Sequence, residues 1–362
     1  MQVARIVNLA DQIAKDIELR GLKPGDAYFG TEKTARMLRV SAAAANRALQ
    51  VLVKRGVLHR RQGLGTFIAQ LPGEEQSPLN RVRLLVREDF FATEGLLDDG
   101  VLMGMQAELP GASLQIDFVP PGDGQDFVEQ LVSESLQAPH SEGFVLIRSS
   151  FETQRIVKAS GLPAVVYGTP FPSMREMAWL DRDHRQIGQL LADHLLAQGF
   201  RRMVVMLRQH MSPGDYLALD HVQQVFAACG LGLEDVVLRC VPSAGRIVSE
   251  EVIAILEADC RPTGFLCRNE PLAGGVAAAR DELGRSAEEV GIVMADVYRK
   301  ASSPAPRFPY TRPEMTPEQI GESLGRMLAL QAIGTQADSH SQLVPVRLEL
   351  PTNSLLAGKK SP

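Results

Sequence analysis

Tryptophan occurs once and cysteine four times in the 362 residues. Cys229, Cys240, Cys260 and Cys267 form no CxxC pair and have no histidine at ligand spacing, which argues for reduced thiols and against a zinc site. No apolar run approaches the ~18 residues that a membrane span needs. Near the start, Arg5, Asp11, Lys15 and Asp16 interrupt every apolar stretch, so a signal-peptide pattern is missing and a cytoplasmic protein is expected. Also missing are GxSxG, HExxH, Walker A and any GxGxxG placed behind a strand. The expectation is therefore a non-enzyme that needs no cofactor.

What is present is an uneven charge. Residues 1–70 hold twelve Lys or Arg against five Asp or Glu, a net of +7, although the whole chain carries −5. The remainder thus carries −12, and a basic module on an acidic body suits binding of a polyanion through one end. The length predicts two or three domains.

The basic module is organised around residues 41–66. Ser41 can cap a helix, and the next fourteen residues contain neither proline nor glycine. Ala45, Ala48, Leu49 and Leu52 recur at helical spacing on one face. Ala43, Asn46, Arg47, Gln50 and Lys54 lie on the others. Gly56 is a left-handed helix stop. Val57–Arg61 and Thr66–Ala69 read as two short strands around Gln62-Gly63-Leu64-Gly65. A first helix is expected over residues 3–19 and a second over 34–38, with Thr31 as its cap. This outline is a winged helix-turn-helix, whose last helix enters the major groove while its hairpin reaches phosphates or the minor groove.

Residues 5–69 resemble the GntR-family DNA-binding domain. The resemblance rests on Gly21-Leu22-Lys23-Pro24-Gly25-Asp26, Thr31-Glu32-Lys33, Val40-Ser41, Arg47-Ala48-Leu49, Gly56-Val57-Leu58 and Arg61-Gln62-Gly63-Leu64-Gly65-Thr66-Phe67. It implies contact with double-stranded DNA through Lys33, Ser41, Ala42, Ala43, Asn46, Arg47, Arg60, Arg61, Gly63, Gly65 and Thr66. Two positions depart from the family pattern. The arginines usual directly after the capping serine and four residues later are here Ala42 and Asn46. Asn46 can still read adenine and the alanines a thymine methyl, which predicts a different or more AT-biased operator, or weaker base specificity. A head that no longer binds DNA is the competing reading.

Leu71–Asn80 is a linker by composition. Beyond it, residues 81–362 carry strand-length apolar runs at 82–86, 114–119, 143–147, 164–167, 203–207, 263–267 and 290–294, with helical stretches between most of them. That alternation predicts an α/β body of doubly wound parallel sheets in two lobes around a cleft. The second half is similar to the LacI/GalR effector-binding domain. The similarity is carried by Trp179-Leu180-Asp181, Ile187-Gly188, His194 to Arg202, Pro262-Thr263-Gly264-Phe265, Asn269-Glu270-Pro271-Leu272-Ala273, Val290 to Asp296 and Thr316 to Gly321. It implies a periplasmic-binding-protein-like sensor, a homodimer, with a small effector between the lobes.

Four strand ends share an arginine: Arg87, Arg148, Arg208 and Arg268. Facing a cleft, they would suit an anionic ligand such as a sugar acid or sugar phosphate. Facing outward, each would pair with a surface acid such as Glu88 or Glu270. Phe90 and Phe91 could stack on a ligand, and Asn269, Glu270 and Asp296 could bind its hydroxyls. The cluster Asp181, Asp183 and His184 is read as the start of a helix, where acids complement the macrodipole. Together these features predict a ligand-responsive transcriptional regulator, a repressor, with a small-molecule binder bearing a vestigial head as the alternative.

Overall fold

The computed structural model describes residues 2–23, 25–61, 65–69, 77–88, 98–122, 124–295, 306–334 and 341–351. Within the first 69 residues, helices α1 (Gln2–Leu19), α2 (Thr31–Leu38) and α3 (Ala42–Lys54) pack on a small antiparallel sheet. Its strands β1 (Ala27–Tyr28), β2 (Leu58–Arg61) and β3 (Gly65–Ile68) run in the order β1-β3-β2. The stripe Ala45, Ala48, Leu49 and Leu52 is fully buried, and Ala48, Leu49 and Leu52 share a core with Ala10, Ile13 and Ile17 of α1. Ser41 caps α3 by accepting the Ala44 N–H at 3.3 Å, and Gly56 stops it at φ +72°. Thr31 is not the cap of α2. It is the first helical residue, after Gly30, which has no side chain to cap with.

The body holds two six-stranded sheets. Lobe one has β4 (Arg81–Arg87), β5 (Ser113–Val119), β6 (Glu142–Ile147), β7 (Ala164–Tyr167), β8 (Ala178–Arg182) and β14 (Ser341–Val344). They are all parallel, in the order β14-β8-β7-β6-β4-β5. Helices α4 (Asp99–Glu108) and α11 (Pro317–Ala332) cover one face, and α5 (Gly124–Gln137) and α6 (Phe151–Ser160) the other. Lobe two has β9 (Met203–Arg208), β10 (Val236–Val241), β11 (Thr263–Cys267), β12 (Val290–Met294), β13 (Tyr310–Pro313) and β15 (Val346–Glu349), in the order β10-β9-β11-β12-β13-β15. Only β15 runs antiparallel to its neighbour. Helices α7 (His184–Ala197) and α8 (Pro213–Ala228) lie on one face, and α9 (Gly245–Ala258) and α10 (Glu270–Glu282) on the other.

All seven predicted body strands form. Central strands such as β6, β9, β11 and β12 are buried at every residue, which is why they read as continuous apolar runs. The chain passes between lobes after β8, after β13 and between β14 and β15. The middle passage is followed by a very close helix pair. A Cβ on Gly104 would collide with the Glu318 carbonyl, and one on Gly321 with the Val101 carbonyl. Only glycine lets α4 and α11 approach so nearly. Of the linker, residues 71–76 lie outside the described residues. Ser77 and Asn80 donate their N–H groups to Pro110 and Ser141 of lobe one. No described helix is long and apolar enough to cross a membrane.

Candidate ligand cleft and nucleic-acid interface

Between the lobes, at the carboxyl ends of β6, β7, β8, β9 and β11, lies a narrow cleft. This is where open α/β sheets hold ligands, because the strand ends and the loops after them converge there. Its described wall includes four arginines, Arg148, Arg182, Arg208 and Arg268, and one carboxylate, Asp181. Three of the four predicted strand-end arginines are thus brought together. Arg87, half-buried at the end of β4, is not among the described lining residues.

Each lobe places a buried acid beside its arginines. In lobe two, Arg268 Nε donates to Asp215 at 2.7 Å and Arg208 Nη2 at 3.1 Å. The Ser212 N–H and hydroxyl donate to the same carboxylate at 2.8 Å. This anchor follows from local sequence: Ser212 and Asp215 form a capping box with Pro213 opening α8. Burial pushes the Asp215 carboxyl up, but the Arg268 and Arg208 charges outweigh it and hold the group well below the usual carboxylate range. Arg208 and Arg268 thus pair with an interior acid.

In lobe one, Asp181 is buried and accepts the Thr169 hydroxyl at 2.6 Å and the Arg182 N–H at 2.8 Å. His184 Nε2 lies 3.0 Å from it. Burial raises the Asp181 carboxyl, and His184 and Arg182 more than reverse this, leaving it depressed. Asp183 is the helix cap that the sequence suggested, accepting the Arg185 and Gln186 N–H groups at 3.0 and 3.1 Å. Asp181 and His184 are not part of that cap. They face the cleft, and His184 fits only because residue 214 is glycine: a Cβ there would overlap the imidazole. Arg148 turns into the cleft wall with φ +50°, a left-handed conformation uncommon for a residue with a side chain.

Other predicted ligand residues stand elsewhere. Asn269 is fully buried; its carbonyl accepts the Leu272 N–H at 3.1 Å and its amide donates to Ser243 at 3.0 Å. Its oxygen caps α10 and its amide ties that helix start to the loop before α9, and it is not among the described residues lining the cleft. Glu270 is exposed in the first turn of that helix, a position that complements the macrodipole. Phe90, Phe91 and Asp296 lie outside the described residues. Arg182, Asp215 and Thr169 were not singled out from sequence. The Ser212-Pro213-Gly214-Asp215 box after a strand was the available signal for Asp215.

In the head, Ala42, Ala43 and Arg47 are exposed along α3, with Asn46 half-buried between them. The Asn46 carbonyl oxygen accepts Arg60 Nη1 at 2.8 Å and the Thr31 hydroxyl at 3.4 Å, while Arg60 Nη2 donates to that hydroxyl at 3.3 Å. Lys33 is exposed with its ammonium 4.0 Å from the Phe29 ring centroid. Gly65 opens β3 at φ +122°, which glycine alone adopts readily. Thr66 is buried on the central strand, so its side chain faces the core of the head and not a DNA backbone. Gly63 and the Arg61 side chain lie outside the described residues.

A family model for a periplasmic binding protein-like domain matches residues 192–350. No curated protein matches the sequence. Among solved structures, the chain is similar to the transcriptional regulator CelR in complex with cellobiose, at 15% identity and a TM-score of 0.63, over 88% of this chain and 94% of that one. It is similar to a LacI-family regulatory protein from Chloroflexus aggregans, at 16% identity and 0.62, over 75% and 97%. The lac repressor dimer bound to operator and the anti-inducer ONPF gives 16% and 0.61, over 77% and 94%. These likenesses establish the two-lobed periplasmic-binding-protein-like α/β fold.

Proposed function

We propose that this protein is a ligand-responsive transcriptional repressor that binds a small anionic, sugar-like metabolite between its lobes and operator DNA through a GntR-type winged helix-turn-helix at residues 1–70. The observation that carries the reading is the arginine-lined cleft on a chain with a +7 head. Among the described residues, four guanidiniums face two carboxylates there, one of which, Asp215, lies behind the wall. A neutral sugar does not call for that excess of charge; a carboxylate or phosphate does, through forked hydrogen bonds. The similar regulators solved with cellobiose or ribose support a ligand-responsive regulator. Two copies would pair through their bodies and present two heads to two half-sites. Ligand would alter operator affinity only by its differential affinity for the two lobe arrangements.

The test has two arms on the full chain. Gel shifts with mixed duplex DNA should show binding that weakens steeply with salt. Thermal shifts against sugars, sugar acids and sugar phosphates should favour the anions, and a ligand at 100 times its Kd should add about 2.7 kcal/mol. Anion binding without any DNA binding in dilute salt would favour the second reading, a small-molecule binder with a vestigial head. That reading draws on the methyl-only start of α3 and the engaged carbonyl of Asn46.

A further inference from the structure

Arg60 stands in a setting unlike that of the cleft arginines. It is exposed, and among the described residues it is held by neutral groups alone, the Asn46 carbonyl and the Thr31 hydroxyl. Each η nitrogen directs one N–H inward, at 2.8 and 3.3 Å, so the plane of the guanidinium is fixed on the side of α3 that begins with bare methyl groups. A guanidinium has five N–H donors, so three remain for an outside partner. Because its holders carry no charge, it keeps its full positive charge while losing rotational freedom. Asn46, in turn, has its acceptor occupied. Bidentate reading of adenine needs that oxygen to accept the adenine amino group, and doing so would release Arg60.

We infer that Arg60, and not Asn46, is the side chain through which this head reads a base, that the base is a guanine in the major groove, and that Asn46 and Thr31 are its positioning residues. The arginine missing from the helix at position 46 is thereby supplied from strand β2 and buttressed by the residue that replaced it. Guanine is the partner because it offers two acceptors, O6 and N7, at the spacing of the guanidinium fork. Ala42 and Ala43 leave room for the approach. This inference rests on the proposed DNA-binding role of the head.

The experiment is selection of duplexes from a random-sequence library with the full-length protein, followed by gel shifts of the selected duplexes and their single-base variants. Wild type should select an invariant guanine in each half-site, preferred by about ten- to a hundred-fold over other bases. Arg60→Lys keeps the charge but loses the fork, and should erase that preference while the salt dependence on mixed DNA stays. Asn46→Ala should keep the same guanine with its preference reduced several-fold. Thr31→Val should do likewise, and Thr31→Ser should restore wild-type discrimination, a pattern that a general loss of folding does not give. The inference is overturned if Arg60→Lys leaves the selected bases unchanged, or if Asn46→Ala frees a position that wild type reads as adenine. If wild type binds no duplex even in dilute salt, the DNA-binding role falls, and this inference with it.

Discussion

Arginine is used in two opposite ways in this molecule. In the cleft, Arg208 and Arg268 are largely buried and share one fully interior carboxylate. In the head, Arg60 is exposed and held by an amide and a hydroxyl. A buried guanidinium needs a counter-charge because desolvation otherwise disfavours it. An exposed one does not, and neutral holders leave its charge for a partner that arrives later. The lesson is that counting arginines says little; what each is paired with decides whether it supports the fold or is kept for a polyanion.

Removing the counter-charge should give the largest effect. Asp215→Ala removes the carboxylate that two interior arginines share, and should cost about 3–5 kcal/mol in urea unfolding. Arg60→Ala should change stability by no more than about 0.5 kcal/mol. Equal costs for the two would dissolve the distinction. Next comes Gly214→Ala, which forces His184 away from Asp181 and should cost about 1–3 kcal/mol and weaken ligand-induced stabilisation, with head-only DNA binding at saturating protein unchanged.

The two regions should also fail at opposite ends of the pH scale. Asp181 and Asp215 are depressed in the folded state, so the unfolded chain binds more protons in acid. Their contribution is complete above the ordinary carboxylate pKa of about 4 and is lost as pH falls through the lower folded values. In the head, burial together with the Asp16 hydrogen bond and charge raises the Tyr28 phenol. Its contribution is complete below the ordinary tyrosine pKa of about 10 and is lost as pH rises toward the raised folded value. Tryptic cleavage across pH should open the body first in acid and the head first in alkali, and Tyr28→Phe should abolish the alkaline part alone. The smallest effect is expected from Arg47→Ala: stability within about 0.5 kcal/mol, with the salt slope of DNA binding lowered by about 1 if Arg47 meets a phosphate.

The buried strands were legible because burial on both faces writes itself as an unbroken apolar run, as in Val290–Met294. Strand β10 was not, since its Val236–Val241 edge is only partly covered and carries Arg239 and Cys240 outward. Strands β13, β14 and β15 are four residues each, too short to show a period. Within the cleft, the strand-end arginines stood out because a charge directly after an apolar run is visible in one dimension. Their common partner did not: Asp215 lies seven residues beyond Arg208 and 53 before Arg268. Asn269 is ambiguous in one dimension because a helix cap and a ligand amide use the same residue type, and its bonds to Leu272 and Ser243 appear only in the fold.

The segment Ser341–Glu349 lends one strand to each lobe, with Pro345 alone between them. During synthesis, some 260 residues after β4 must leave the ribosome before either sheet can close its last edge. The body therefore cannot mature piecemeal, although the N-terminal module of fewer than 70 residues, with a core of its own, is under no such delay. A newborn chain would carry a finished N-terminal module beside an unfinished body, and the last strands to emerge set the moment at which the whole is complete.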